Sequence, residues 1–144
     1  MGKKRIVRKD GQKMNQSLKN RALARLPKKK VVAATLHIQA TFNNTIVTVT
    51  DKAGNTLMAS SSGALGFKGA KKGTPFAAQK VGEVLGEKAK MIGIKEVDVK
   101  VTGVGSGRES AIRGFMSHGI ELSRLKDETP VPHNGPRPKK PRRV

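Results

Sequence analysis

Gly66-Phe67-Lys68-Gly69-Ala70-Lys71-Lys72-Gly73-Thr74-Pro75 gathers the residue types that bind phosphate. Glycines let backbone N–H groups approach phosphate oxygens, and Lys68, Lys71 and Lys72 neutralise them. Thr74-Pro75 reads as a helix start, Thr as N-cap and Pro at the first helical position, so a helix N-terminus adds partial positive charge. A solvated loop is the plainer alternative, and Phe67 is a poor choice for the tip of one. Phe67 either stacks on a base or folds back into the core. A second such pattern is Gly103-Val104-Gly105-Ser106-Gly107-Arg108, which follows a strand and opens a helix. It resembles a dinucleotide fingerprint, with Asp127 about twenty residues further on. The pattern fails at Arg108, where a third glycine belongs, and there is no room for a second mononucleotide half. What survives is a phosphate-binding junction with Arg108 and Arg113 facing the ligand, or a tight turn alone.

Catalytic chemistry is poorly supplied. His37, His118 and His133 are far apart and lack neighbouring ligands, which argues against zinc, and there is no cysteine for a thiolate or a disulfide. Ser60, Ser61 and Ser62 cluster without a readable His and Asp partner. A two-metal nuclease needs several carboxylates converging within about 4 Å of its ions. Here Asp51 ends a strand, Glu83 and Glu87 ride on a helix, and Asp98 alternates outward. The chain therefore reads as a non-enzyme with no cofactor and no metal.

Charge points to the partner. Thirty Lys and Arg face ten Asp and Glu, for a formal net charge of +20 over 144 residues. Residues 1–30 carry +11 and residues 130–144 carry +5, leaving +4 on residues 31–129. A nearly balanced body between two cationic arms suits a polyanion, nucleic acid first. With 3% aromatic residues, backbone and groove contacts on structured RNA suit it better than a single-strand stacking platform. Charge alone does not separate RNA binding from DNA compaction. No run approaches the roughly 18 apolar residues of a membrane helix, so no membrane partner is expected. Ser17–Leu26 could turn helical on a partner, ending before Pro27, or stay a solvated tail, and Leu18–Leu26 as a short basic amphipathic helix leaves an organellar transit peptide open, although the arm is Lys-rich and holds one serine.

The elements that must position these loops are legible. Thr35–Ala40 alternates polar and apolar residues, Thr45–Thr50 is β-branched throughout, and Asp51-Lys52-Ala53-Gly54-Asn55 reads as a hairpin turn into Thr56–Ser61. Val81, Val84, Leu85, Ala89 and Ile92 then form one helical stripe, stopped at Gly93. Glu96–Val101 alternates strictly. Ser106 and Glu109 form a capping-box pattern before a short helix with Ala111, Ile112, Phe115 and Met116 inward and Gly119 as its stop. Ile120–Leu125 gives a fifth strand. The order βββαβαβ predicts an α/β fold, a mixed five-stranded sheet with helices packed on it. Three segments follow: a basic extension (1–30), an RNA-binding body (31–129) and a tail (130–144) kept extended by Pro130, Pro132, Pro136, Pro138 and Pro141.

Four stretches together resemble a known family: Phe42 through Asp51, Gly66-Phe67-Lys68-Gly69 running to Thr74-Pro75-Phe76-Ala77-Ala78-Gln79, Gly107-Arg108-Glu109, and Thr129-Pro130-Val131-Pro132-His133-Asn134-Gly135. The combination is similar to the small-subunit ribosomal protein eleven family, in its bacterial or organellar form, over about residues 32–144. The resemblance implies a ribonuclease-H-like topology without nuclease activity. It implies a structural role on the platform of the small ribosomal subunit, bridging helices of its rRNA and lining the cleft for the messenger's ribosome-binding sequence. Small-subunit proteins seven and eighteen would be neighbours, with initiation factor three acting nearby, in the cytoplasm or in an organellar ribosome. The RNA contacts implied fall on Lys68, Lys71, Lys72, Arg108, Arg113, His133, Asn134, Arg137, Lys139, Lys140, Arg142 and Arg143, with Phe67 joining them from the loop reading. Two departures stand out. The family's junction often carries prolines where this chain has Val104 and Ser106, and a cysteine commonly follows the family's Asn-Gly pair where Pro136 stands here. Neither removes a cation. Asn134-Gly135 is also prone to succinimide formation, because glycine barely hinders attack by its own nitrogen.

Overall fold

Strand-forming residues and turn chemistry set the first half of the fold. The computed structural model describes residues 29–143, so the basic extension up to residue 28 and its expected helix lie outside the described residues. Strands β1 (Ala33–Ala40), β2 (Thr45–Thr50) and β3 (Thr56–Ser61) form an antiparallel meander. Asp51 closes its second turn. Its carboxylate accepts from the Asn55 backbone N–H at 2.8 Å and from the Asn55 amide at 3.0 Å, the side-chain turn that Asp favours. Those bonds hold its pKa below the usual carboxylate range.

Helix α1 (Pro75–Ile92) starts as the Thr-Pro signal requires, with the Thr74 hydroxyl accepting from the Ala77 N–H at 3.3 Å, and it stops at a left-handed Gly93. Strand β4 (Glu96–Thr102), helix α2 (Arg108–Met116) and strand β5 (Glu121–Asp127) follow. The sheet order is β3-β2-β1-β4-β5, with β4 parallel to β1 and β5 parallel to β4. This is the expected mixed sheet, in the order of a ribonuclease-H-like topology. Both helices pack on one face. Ala34, Leu36, Ile38, Val47, Val49, Val97, Val99 and Val101 from the strands share one core with Ala78, Val81, Leu85, Ala89, Ile92, Ala111 and Phe115 from the helices. The other face is open and polar, with His37, Gln39, Thr48, Lys100 and Thr102 lining a shallow depression. Burial, then the Lys100 charge, lower the His37 pKa, and its ring lies 3.2 Å from the Thr50 hydroxyl.

Several local expectations shift. Residue Ser106 does not cap α2. Gly107 holds the cap position with no side-chain bond, and the Ser106 hydroxyl instead donates to the Gly73 carbonyl at 3.0 Å. Helix α2 ends at Met116, ahead of Gly119. Ile120 is a core residue before β5, and the strand runs on to Asp127 with every residue exposed, as an edge. Part of the glycine-rich loop, Gly69–Gly73, winds into a 3-10 turn. The stripe of α1 also includes Gly82 and Gly86, both buried, while Val84 is half-buried.

Those glycines decide how the helices meet. A side-chain carbon on Gly82 would collide with the Ala111 carbonyl, one on Gly114 with the Gln79 carbonyl, and one on Gly86 would come within 2.8 Å of the Phe115 carbonyl. Alanine is the better helix former by about 1 kcal/mol, but overpacking a core typically costs about 1–3 kcal/mol. Gly82→Ala is therefore expected to destabilise the protein in chemical denaturation despite its helix preference. A stability equal to or above the parent's would contradict the backbone-to-backbone contact.

Candidate nucleic-acid interface

The topology brings every phosphate-type motif to one end of the sheet. Strands β1, β3, β4 and β5 end there, β2 begins there, and so do both helices. In open α/β sheets ligands bind beyond the carboxyl ends of the strands. The turn at 41–44, the loop at 62–74, the junction at 103–107 and the root of the tail thus share one end. Backbone bonds tie the junction and the loop to the strand ends, Gly105 N–H to Ala40 carbonyl at 2.9 Å and Ser62 N–H to Thr45 carbonyl at 3.1 Å, and Thr41 N–H to Asn44 carbonyl at 2.8 Å closes the turn. Glycine makes the fit possible. A side chain at Gly73 would strike the Phe42 carbonyl, and one at Gly103 or Gly105 the carbonyls of Ala40 or Thr41.

Lys68 and Lys71 are exposed and Lys72 is half-buried. None of the three joins an ion pair among the described residues. Phe67 is half-buried and meets Phe76 edge-on, with ring centroids 6.1 Å apart and an 84° angle. That contact favours folding back over a free stacking ring. The exposed aromatics are others. Phe42 is 77% exposed and Phe76 61%, and Lys80 Nζ lies 5.5 Å from the Phe76 ring, a cation–π distance. Neither ring was singled out from the sequence as a contact, although Phe42 beside Asn43-Asn44 at a turn was the available signal.

Arg113 is exposed further along α2, with the Glu109 carboxylate at 3.6 Å. His133, Asn134, Arg137, Lys139, Lys140, Arg142 and Arg143 are all exposed along the tail. Asn134 adopts φ 57°, the one non-glycine residue with positive φ among the described residues. Arg108 is different. Its guanidinium donates to the Gly103 carbonyl and to Asp127 Oδ2. The acid that a dinucleotide site would turn toward ribose is engaged by arginine from within the chain.

Comparison with known proteins shows the family. The family model described as ribosomal protein S11 matches residues 34–143. This chain belongs to that family. It is also 52% identical over 126 residues to the small ribosomal subunit protein uS11 of Solibacter usitatus (strain Ellin6076), covering 88% of this chain and 93% of that one. Ribosomal S11 proteins are structural and non-enzymatic, and several acids of this S11-family chain are engaged within the chain. Asp98 accepts from Lys52 at 2.6 Å, Glu83 from Lys80 at 2.9 Å, and Glu128 lies 3.5 Å from both Lys100 and Lys126. Asp98 and Glu83 are held below the usual carboxylate range, first by those lysine hydrogen bonds. Among the described residues no three potential ligands come together as a metal site.

Gly66 and Gly103 both hold positive φ, 98° and 95°, but a side chain at Gly66 meets open space. Conformational strain alone costs about 1–2 kcal/mol, so Gly66→Ala should lose about that much. Gly103→Ala should lose about 3 kcal/mol or more, because the collision with Ala40 adds to the strain. Urea titrations of both variants check the ranking. Equal losses would show that Gly103 serves the turn alone.

Proposed function

We propose that this chain is a structural constituent of the small ribosomal subunit that binds and bridges small-subunit rRNA helices through the carboxyl end of its sheet and its cationic tail. The observation that carries the reading is the convergence there of two helix N-termini, a glycine-lysine loop with unpaired lysines, and the root of a tail bearing five exposed cations. Helix N-termini and backbone N–H groups favour phosphate oxygens, and unpaired lysines release counterions when they meet them. Family membership supports the assignment. The finer reading follows the same surface. Lys68, Lys71, Lys72, Arg113 and the tail residues His133, Asn134, Arg137, Lys139, Lys140, Arg142 and Arg143 meet rRNA, with Phe67 bracing the loop and Arg108 working at the tail's root. On the platform, proteins seven and eighteen are neighbours, initiation factor three acts nearby, and the surface lines the messenger's cleft. Such a chain works in the ribosomes of a bacterial cytoplasm.

Binding to a small-subunit rRNA transcript tests this. Six phosphate contacts give a log–log salt slope of roughly −4 to −5. Duplex DNA of equal length should bind weaker by orders of magnitude at about 150 mM salt, because specificity comes from RNA shape. Equal affinity for the two would overturn the ribosomal reading.

A further inference from the structure

Arg108, Asp127, Thr129 and Gly103 form a closed knot where the tail leaves the body. Arg108, the first residue of α2, donates to the Gly103 carbonyl and to Asp127 Oδ2. The other Asp127 oxygen accepts from the Thr129 N–H at 3.0 Å and from the Thr129 hydroxyl at 2.6 Å. That hydroxyl in turn accepts from the Gly103 N–H at 3.2 Å. Just before it, the Glu128 N–H bonds to the Val101 carbonyl at 2.8 Å, carrying the sheet one residue past β5. The end of β4, the start of α2 and the first residues of the tail are thereby fixed to one another. Pro130 follows at once, and Pro132 stiffens the next step.

We propose that Asp127 is a positioning residue for RNA binding: with Arg108 and Thr129 it latches the root of the cationic tail, so that an acid in a protein of net charge +20 raises RNA affinity. The inference rests on the rRNA-binding reading above. Its physical basis is leverage. From Thr129 to Arg137, the first tail cation, the chain can reach about 25 Å at roughly 3.1 Å per extended residue. A swing of about 20° at the root displaces that guanidinium by several ångströms, more than a charge-assisted hydrogen bond tolerates. A root free to swivel makes each tail contact lose orientational freedom on binding, whereas a latched root has already lost it. The Thr129 hydroxyl bond, then Arg108, also hold the Asp127 pKa far below the usual carboxylate range. A depressed carboxyl pKa gives stabilisation that is complete above the unfolded value of about 4 and is lost only as pH falls through the folded one. The latch therefore stays closed across the neutral range.

The sign of the effect separates this from simple electrostatics. Asp127→Asn removes a negative charge, and Coulomb attraction alone predicts tighter RNA binding. The latch predicts weaker binding, by about five- to tenfold at about 150 mM salt. The assay titrates full-length protein against a small-subunit rRNA transcript, with Asp98→Asn as the control for loss of an acid elsewhere. Thr129→Val, which changes no charge, should weaken binding similarly, and Thr129→Ser should restore it. A variant with Arg137, Lys139, Lys140, Arg142 and Arg143 all changed to Gln closes the cycle. In that background Asp127→Asn and Thr129→Val should change affinity by less than about twofold. Circular dichroism melts identify any variant that has lost its fold, and the Thr129 pair decides the matter if Asp127→Asn has. Affinity at or above the parent's for Asp127→Asn and Thr129→Val, with the tail-neutralised chain weakened, overturns the latch and leaves the RNA reading standing. A tail-neutralised chain that binds like the parent removes the tail from the RNA interface, and the latch with it.

Discussion

Where α1 crosses α2, and again where the turn after β1 meets the loops above it, main chain rests directly on main chain. Gly82 and Gly114 let the helices come that close, and Gly73, Gly103 and Gly105 do the same at the carboxyl end of the sheet. Bulk apolar burial would hold two helices on this sheet in many geometries, because it has no direction. Close approach admits far fewer. The depth of α2 against α1 determines where Arg108 starts, and the seating of the junction on Ala40 and Thr41 determines where the tail root is caught. The basic end has its shape because carbonyl oxygens there occupy space that any side chain would claim.

Ion pairing complements that constraint. Five acids of the described body meet cations, Asp98 with Lys52, Glu83 with Lys80, Glu109 with Arg113, Glu128 with Lys100 and Lys126, and Asp127 with Arg108. These surface pairs add little to stability one by one. Their joint effect is one of placement. Part of the negative charge is taken up within the body, and the lysines of the loop and the cations of the tail are left without ion-pair partners among the described residues. Those cations stay available to a polyanion.

Strands were legible wherever a short period carried the signal. Alternation in Thr35–Ala40 and Glu96–Val101 and β-branching in Thr45–Thr50 name their strands, and Thr74-Pro75 marks its helix to the residue. Partners distant in sequence were not. Ser106 satisfied a local capping rule, but Gly107 takes the cap position and the Ser106 hydroxyl bonds to Gly73. Arg108 and Asp127 look like ligand contacts when taken separately, and only folding shows that they hold each other. Gly82 and Gly86 gave no signal in the apolar stripe, since a helical glycine is a cost until a second backbone lies against it. Phe67 illustrates the same limit, as its fate depended on Phe76 across the loop.

The central strand has a partner that is made late. β1 pairs with β2 beside it in sequence, but its other edge pairs with β4, Ala33 opposite Glu96. As the chain emerges during synthesis, the meander of β1 to β3 exists before α1 can cover its apolar face and before β4 can close its edge. Non-local parallel pairing is slow, and an open edge invites wrong strands. A growing chain of this protein thus passes through a stage with Leu36, Ile38, Val47 and Val49 uncovered. The net charge of +11 on the preceding thirty residues would keep two such nascent chains apart, an effect exerted before either has met its RNA.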